Sequence, residues 1–368
     1  MAFARSVAVS NLLNAKDKKN TGKITHRGAL GNISNAPVSK ATEGKQLSKL
    51  PPVKHEKCEK IEEVENKAPI IVQQQEEIIK EIILGPIDDI DKDDKENPQL
   101  MSEYVKDIYG YMRILESRYI IRPDYLSEQT EVNGRMRAIL VDWLVQVHLR
   151  FHLLQETLFL SVAILDRYLQ KNQVAKSKLQ LVGVTSVWIA SKYEEMHAPE
   201  VADFVYITDN AYTKSEMRQM ECTIMKALDF QLGRPLPIHF LRRFSKAGEV
   251  EGETHNLAKY FMEMILVEYD MVHYLPSKIA AAALLLSKLI LEGTQWTASL
   301  VHYSTYTEAE LLPLVYKLAS FVIKTNSATK LVAVKNKFAS SKFLRISKSE
   351  KLSSQVVASL ADKSGNHS

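Results

Sequence analysis

The sequence contains few of the residues that would support disulfide bonds, a metal site or insertion into a membrane. Its two cysteines, Cys58 and Cys222, are too few for a disulfide framework, and neither belongs to a CxxC pair that could bind zinc. The longest unbroken apolar run covers residues 279–286, far short of the roughly 20 residues that a membrane-spanning helix needs. We therefore expect a soluble chain from a reducing compartment, with no metal site and no membrane partner.

Aromatic residues are nearly absent from the first hundred positions. Phe3 is the only one before Tyr104, and beyond that point tyrosine, phenylalanine and tryptophan recur every few residues. A segment without large apolar side chains cannot form a core, so residues 1–97 are predicted to be a disordered regulatory tail. The first 15 residues also match the composition of a mitochondrial presequence, which is an alternative to a plain flexible end.

Each half of this tail has few charges of one sign. Residues 1–60 carry twelve Lys or Arg and four Asp or Glu, whereas residues 61–100 carry four and twelve. The two halves cancel, so the formal net charge of +4 belongs to the chain from residue 101 onward. Over so large a surface this bias is too weak to indicate binding to nucleic acid.

The motifs of common enzyme classes are also absent. There is no glycine-rich phosphate loop, no GxSxG, no HExxH and no HRD or DFG of a protein kinase. The ten histidines are scattered, and His197 and His239 are interpreted as a loop residue and a helix-start residue rather than as ligands. The sequence thus favours a binding function, without catalysis and without a cofactor.

Helical periodicity dominates everything after the tail. Residues 98–118 predict an amphipathic N-terminal docking helix, and the Gly/Pro-rich break at 233–237 divides the remainder into two halves of similar size. The predicted helices cover residues 133–151, 155–170, 177–192, 199–207 and 213–228 in the first half, and 237–247, 254–269, 276–292, 297–303 and 307–324 in the second. We expect an all-α protein whose serine- and lysine-rich end, from about residue 326, is irregular.

The most apolar of these helices runs from Met136 to Phe151 and carries apolar side chains almost all the way round. Such a helix belongs at the centre of a bundle. Arg137 at its second position needs an acidic partner, because an unpaired charge there would cost several kcal/mol. Asp166 in the following helix is the obvious candidate.

Three segments together carry a family resemblance: MRAILVDWLVQVHLRF from Met136, LQETLFLSVAILDRYL from Leu154 and KLQLVGVTSVWIASKYEE from Lys178. They resemble the first box of a cyclin. The blocks NPQLMSEYVKDIYGYMR from Asn97 and LGRPLPIHFLRR from Leu232 resemble the B-type, mitotic branch. The resemblance implies an N-terminal helix followed by two tandem five-helix boxes, at residues 119–231 and 232–335, and a C-terminal extension at 336–368. It also implies that Arg137 and Asp166 form a structural ion pair.

The resemblance further implies a regulatory subunit that is not itself an enzyme. It would bind and activate the mitotic cyclin-dependent kinase at the G2/M transition. Lys192 and Glu221 correspond to the principal charged contacts with the kinase, and Tyr193 and Phe230 to apolar neighbours of those contacts. Without the family, Lys192 and Glu221 would be interpreted as solvated helix charges.

Cyclins also hold RxL-type peptides of substrates and inhibitors on part of the apolar stripe of the first box. The matching residues are Met136, Ile139, Leu140, Trp143 and Leu179, with Gln180 at the rim. Plain core residues remain the alternative, above all for Ile139 and Leu140. A-type members place an acidic residue where this chain has Gln146, so we expect weaker attraction for the peptide's arginine.

The tail carries a motif for regulated destruction. Arg27, Leu30, Ile33 and Asn35 fit RxxLxxIxN, the destruction box that the anaphase-promoting ubiquitin ligase recognises. Lysines follow it closely and could accept ubiquitin: Lys40, Lys45, Lys49, Lys54 and Lys57. A second degron pattern, KEN, occurs at residues 95–97, but it coincides with the start of the docking helix. No Ser-Pro or Thr-Pro dipeptide occurs, so the usual proline-directed phosphorylation sites are missing.

A weaker constellation consists of Arg242, His255 and Lys259. His255 and Lys259 share a helix face at i, i+4, and Arg242 belongs to the preceding predicted helix. These three donors could hold a phosphate of a phosphorylated partner, or they could be three ordinary surface cations.

Two other readings of the chain stay open from the sequence. An A-type cyclin acting in S and G2 would share most of these motifs. A general transcription factor with the same double helical fold would need a zinc ribbon and a basic second half, and the sequence has neither. For a B-type cyclin we expect a location in cytoplasm and nucleus that changes with the cell cycle.

Overall fold

The computed structural model describes residues 87–328 and 330–366, and the regular structure in these ranges is entirely helical. Several short 3₁₀ turns connect the α-helices. The α-helices of these ranges are α1 (Val105–Arg118), α2 (Gly134–Arg150), α3 (Gln155–Lys171), α4 (Leu179–Glu194), α5 (Val201–Ile207), α6 (Lys214–Ala227), α7 (Pro237–Ala247), α8 (Gly252–Val267), α9 (Pro276–Leu291), α10 (Ala298–Ser304), α11 (Glu308–Ser327), α12 (Ala333–Phe338) and α13 (Gln355–Asp362).

Helices α2 to α6 form the first box, in which α2, α3 and α4 supply most of the core. Helix α2 begins where the side chain of Asn133 accepts a hydrogen bond from the amide of Met136 at 3.1 Å. Helix α6 begins with a capping box, in which Thr213 and Glu216 bond to each other's backbone amides. These caps define where α2 and α6 begin, and so which helix turns carry their candidate site residues.

Helices α7 to α11 form the second box, and α9 lies at its centre. Residues 280–286 of α9 are fully buried, which matches the longest apolar run of the sequence. Pro237 and Pro276 occupy the first positions of α7 and α9, where a missing amide proton costs nothing and the proline ring favours helical backbone angles.

The predicted all-α class with two successive five-helix units is confirmed. Each predicted helix of the two boxes appears within three residues of its expected ends. The docking helix begins later than expected, at Val105 rather than at residue 98. Asn97 and Pro98 instead start a separate 3₁₀ turn, which ends at Met101, where a φ of +51° interrupts helical geometry.

The C-terminal end differs from the prediction of irregular chain. Residues 333–338 and 355–362 are helical, and Phe338, Ile346 and Val357 are buried. The ammonium group of Lys337 is also buried, with both carboxylate oxygens of Glu263 on α8 at 2.7 and 2.8 Å. The prediction was wrong because Ser and Lys were interpreted as solvated, whereas scattered apolar residues and one paired lysine hold this segment against the second box.

Residues 88–94, which were assigned to the disordered tail, are docked on the second box. The carboxylate of Asp91 is buried and accepts two hydrogen bonds from Arg243 on α7, at 2.5 and 2.6 Å. Lys246 forms ion pairs with both Asp91 and Asp94. Arg243 also lies over the ring of Tyr303 at 4.9 Å. Ion pairs thus hold a segment whose single apolar side chain is Ile90.

The remainder of the predicted tail, including the destruction-box residues and the lysines after them, lies outside the described residues. In the described ranges, no helix is long and apolar enough to cross a membrane. The same ranges contain no group of three or more His, Cys, Asp or Glu side chains placed to hold a metal ion.

Candidate partner-binding surfaces

The structure brings Arg137 and Asp166 together as a two-point ion pair in the core. Nε and one terminal nitrogen of Arg137 donate to the two carboxylate oxygens of Asp166, each at 2.7 Å. The hydroxyl of Tyr125 donates to the same carboxylate at 2.7 Å. Burial alone would lower the pKa of Arg137, but the adjacent Asp166 raises it above the ordinary value. Arg137 therefore keeps its charge, and its two-point contact with Asp166 joins α2 to α3.

Arg137 also reaches the second box, which sequence reasoning missed. Its remaining terminal nitrogen donates to the backbone carbonyl of Leu266, at the end of α8, at 2.9 Å. Nearby, the hydroxyl of Tyr269 accepts a hydrogen bond from the amide of Leu126 at 2.8 Å. Backbone acceptors leave no trace in side-chain patterns, so no sequence signal could have indicated these contacts between the boxes.

Lys192, in the last turn of α4, forms an ion pair with Glu221 in the middle of α6. The ammonium group of Lys192 also lies over the ring of Trp188, 3.8 Å from its centroid, and this contact orients the lysine stem. Both charged side chains retain solvent exposure. The two residues predicted to contact a kinase thus sit side by side at the surface of the first box, already oriented.

Several large apolar side chains of the first box remain exposed. Phe230 is 67% exposed and Tyr193 is 55% exposed. Two further members were not predicted, Met196 at 84% and Tyr206 at 72% exposure. Phe230 and the preceding Asp229 both have positive φ, near +58° and +51°. This backbone conformation is costly for residues other than glycine, and it occurs at the turn that presents Phe230.

The predicted peptide-docking residues divide into a buried floor and a partly exposed edge. Leu140 and Leu179 are fully buried, and Trp143 is 9% exposed, whereas Met136, Ile139 and Gln180 retain intermediate exposure. Gly183 on α4 lets α2 approach closely, since a Cβ atom there would lie 2.8 Å from a methyl carbon of Leu140. Direct contact with a peptide is thus open to the edge residues, and Leu140 and Leu179 support them from below.

Gln146, on the same helix as that edge, is tied to the C-terminal segment. Its amide nitrogen donates to Asp142 at 3.2 Å, and the other oxygen of Asp142 accepts the backbone amide of Ala333 at 2.8 Å. Burial raises the pKa of Asp142, although both hydrogen bonds oppose that shift. Helix α12 therefore braces the helix that carries the docking residues, a contact that the sequence did not indicate.

The candidate phosphate-binding residues Arg242, His255 and Lys259 each contact another side chain of the protein. Arg242 forms an ion pair with Glu156 of the first box. Nδ1 of His255 and the hydroxyl of Ser245 are 2.8 Å apart, and Lys259 lies over the ring of Phe343 at 5.6 Å. Burial, reinforced by Lys259 and Arg242, lowers the pKa of His255 to about 4. Burial also lowers the pKa of Lys259. At neutral pH the imidazole of His255 is therefore uncharged and lies in a cluster with Arg242 and Lys259.

Comparison with known proteins identifies both boxes. Residues 107–233 match the family described as "Cyclin, N-terminal domain", and residues 235–352 match "Cyclin, C-terminal domain". The second match extends into the C-terminal segment, past the predicted boundary at residue 335. Among solved structures, a viral cyclin from Herpesvirus saimiri is 25% identical with a TM-score of 0.54, over 58% of this chain and 96% of that one.

Curated relatives are considerably closer in sequence. A G2/mitotic-specific cyclin-B of Marthasterias glacialis is 50% identical over 96% of both chains. A G2/mitotic-specific cyclin-B of Spisula solidissima is 62% identical over 76% of this chain, and the match spans 65% of that relative's length. The chain therefore belongs to the cyclin family, in its B-type, G2/mitotic-specific branch.

Proposed function

We propose that the chain is the regulatory subunit that binds and activates a mitotic cyclin-dependent kinase, and so drives the G2/M transition. The observation that carries this proposal is the surface formed by Lys192, Tyr193, Glu221 and Phe230, here called the kinase-contact surface. It combines an oriented ion pair with exposed aromatic side chains on well-packed helices. Exposed apolar groups next to charge are typical of protein interfaces.

The physical mechanism is a shift of the kinase's conformational equilibrium. A kinase is active when the glutamate of its αC helix swings inward and pairs with the lysine that aligns the ATP phosphates. A rigid surface that binds only the swung-in form increases the population of that form. The first box can provide such rigidity, because α4 and α6 are anchored on a close-packed core. The cyclin contributes no catalytic group to the phosphoryl transfer.

Reconstitution with a monomeric cyclin-dependent kinase tests this proposal, with phosphorylation of histone as the measurement. We expect strong activation by the full chain and a loss of at least tenfold with Lys192→Ala plus Glu221→Ala. The matched control is Lys324→Ala plus Glu268→Ala, which removes another surface ion pair and should leave activation intact. Absence of activation by the unmodified chain, or full activation by the Lys192/Glu221 variant, would contradict the proposal.

We further propose that the edge formed by Met136, Ile139 and Gln180 recruits RxL-type peptides. The support for this proposal is that these three side chains are partly exposed above the buried side chains of Leu140 and Leu179. A fluorescent RxL peptide should bind the full chain and lose affinity with Met136→Ala plus Ile139→Ala. Gln146→Glu should tighten binding, because it adds a negative charge near the peptide's arginine. If neither variant alters affinity, the peptide binds elsewhere.

Regulated destruction through the tail is a proposal that rests on sequence alone. The anaphase-promoting ubiquitin ligase would read Arg27, Leu30, Ile33 and Asn35, and cytoplasmic and nuclear pools would both be degraded at anaphase. Arg27→Ala plus Leu30→Ala should then stabilise the chain in anaphase extract. Unchanged degradation of this variant would contradict the proposal.

The cluster of Arg242, His255 and Lys259 is proposed to dock phosphorylated segments of mitotic partners. Two cations and a hydrogen-bonding imidazole suit a phosphate group, provided that Arg242 exchanges Glu156 for the ligand. Arg242→Ala plus Lys259→Ala should weaken binding of such partners in pull-down experiments. Equal recovery of phosphorylated partners would count against this docking site.

A further inference from the structure

A cavity of about 50 Å³ lies between the two boxes, and the Arg137–Asp166 pair forms part of its wall. This volume corresponds to about four water-sized spheres. Most of the remaining lining is apolar and comes from both boxes, including Val162, Pro237, Ile265, Met271 and Pro276. One further charged side chain, Arg234, lines the cavity from the linker that joins the boxes.

Arg234 differs from Arg137 and Arg167 in this region because its side chain has neither an ion pair nor a hydrogen bond among the described residues. Its Nε is shielded from solvent and has no hydrogen-bond partner among the described residues. By contrast, Arg137 is paired with Asp166, and Arg167 donates to the carbonyl of Gln231 at 2.6 Å. Arg234 as a whole is half-buried, but a shielded Nε with an unused proton is costly, so this position calls for an acceptor.

The nearby acids are already committed to other donors. Both oxygens of Asp166 accept from Arg137, and one of them also accepts from Tyr125. Glu116 accepts two hydrogen bonds from Ser277, one from its amide at 2.9 Å and one from its hydroxyl at 2.6 Å. Burial lowers the pKa of Arg234 to about 10 despite the attraction of Asp166 and Glu116. The positive charge at this junction is therefore not neutralised by the chain itself.

We propose that this cavity binds a small free oxyanion of the phosphate class, with the guanidinium of Arg234 as its principal donor. The planar guanidinium matches the geometry of phosphate oxygens, and the cavity's size suits an ion and excludes a peptide. Because both boxes line the cavity, the bound ion would strengthen their junction. This site is separate from the cluster of Arg242, His255 and Lys259 and is independent of kinase binding.

Thermal unfolding of the full chain tests the proposal. An ion that binds the folded form raises Tm as its concentration increases. We expect a rise of about 3 °C when inorganic phosphate reaches roughly ten times its Kd, relative to chloride at equal ionic strength. Sulfate should act similarly. No difference between phosphate and chloride would overturn the proposal.

Three variants locate the bound ion. Arg234→Met should abolish the phosphate-dependent rise in Tm, and Arg234→Lys should reduce it while preserving a positive charge. Arg242→Ala plus Lys259→Ala removes the surface cluster and should leave in place the part of the rise that depends on Arg234. If this variant loses the rise and Arg234→Met keeps it, the ion binds the surface cluster and the proposal fails.

Two further arms remain informative if Arg234→Met does not fold. Crystals of the full chain soaked in selenate should show an anomalous peak within hydrogen-bond distance of Arg234, and a peak only elsewhere would contradict the proposal. A phosphoserine peptide should fail to reproduce the rise in Tm. If the peptide raises Tm and free phosphate does not, the site belongs to a phosphorylated partner and the free-ion assignment is wrong.

Discussion

Arg137 on α2 contacts both α3 of the first box and the end of α8 in the second box. All three of its donor nitrogens are used, two on Asp166 and one on the carbonyl of Leu266. Such a buried pair need not stabilise the fold relative to an apolar pair of the same shape, but breaking it leaves one charge uncompensated. Its role is therefore to specify one arrangement of α2, α3 and the second box.

Asp166→Asn tests this role. We expect the free energy of unfolding to fall by about 3–5 kcal/mol, because Arg137 keeps its charge and loses its partner in the core. Urea denaturation followed by circular dichroism measures the change. Glu128→Gln, which disrupts the exposed pair with Arg122, is the control and should cost less than about 1 kcal/mol. Equal costs for the two variants would refute a buried, charge-dependent role.

His148 makes the free energy of unfolding depend on pH. Burial, followed by repulsion from Lys337, lowers its pKa to about 3, and its Nε2 lies 3.0 Å from the carbonyl of Leu154. The unfolded chain, with an ordinary histidine pKa near 6.5, binds a proton that the folded chain does not. His148 thus contributes stability that is fully present above pH 6.5 and is lost as pH falls toward 3.

The measurement is urea unfolding at pH 7 and pH 5. His148→Gln should reduce the loss of stability over this interval by roughly 2 kcal/mol, since each pH unit below 6.5 costs about 1.4 kcal/mol per proton. His197→Gln, at an exposed position, should leave the pH dependence unchanged. An identical pH dependence in His148→Gln and the unmodified chain would exclude this histidine as its source.

At the scale of elements, two segments without a helical signature brace the boxes. Helix α12 holds Asp142 on α2 and Glu263 on α8 through Ala333 and Lys337. Residues 88–94 hold α7 through Asp91. The KEN match at residues 95–97 follows directly, and the amide of Asn97 donates to the carbonyl of Asp94 at 3.0 Å. The docked segment therefore presents this degron pattern as a turn rather than as an extended peptide.

Asp91→Ala should release this segment from α7, because Arg243 and Lys246 lose their shared acceptor. Hydrogen exchange measured by mass spectrometry should then show faster exchange of the amides of residues 88–97, while α7 changes little. Asp93→Ala, which alters an exposed neighbour, is the control and should behave like the unmodified chain. Unchanged exchange in Asp91→Ala would mean that the ion pair does not hold the segment.

At the scale of the whole molecule, the two boxes are joined by more than their linker. The guanidinium of Arg137 reaches Leu266, Tyr269 accepts the amide of Leu126, and α12 contacts both boxes. The buried Lys337–Glu263 pair also receives a hydrogen bond from Gln155 of the first box at 2.7 Å. These shared contacts should make unfolding of one box costly for the other.

We therefore expect the boxes to unfold in a single transition. Trp143 and Trp188 lie in the first box and Trp296 in the second. Tryptophan fluorescence therefore follows the first box in the Trp296→Phe variant and the second box in the Trp143→Phe plus Trp188→Phe variant. In each variant, the urea midpoint from fluorescence, which follows one box, should coincide with the midpoint from circular dichroism, which follows all helices. Two separate transitions would show that the contacts between the boxes are weak.

The sequence by itself determined the helices of the two boxes, the division at residues 233–237 and the partner of Arg137. Periodicity, proline and glycine act locally, and a charge in an apolar helix demands an opposite charge nearby. It also identified the family, and that resemblance is the basis for proposing Lys192, Glu221 and Phe230 as kinase contacts. Taken alone, Lys192 and Glu221 would have suggested solvated helix charges.

Only the tertiary structure decided which polar groups are buried and what they contact. Asp91, Lys337 and Arg234 occur in stretches of polar or turn-forming residues, and nothing in their neighbours distinguishes them from solvated charges. Tertiary packing buries Asp91 against Arg243 and Lys337 against Glu263, and it leaves the Nε of Arg234 without a partner. Burial and pairing depend on segments far apart in the chain, and local sequence patterns do not encode that proximity.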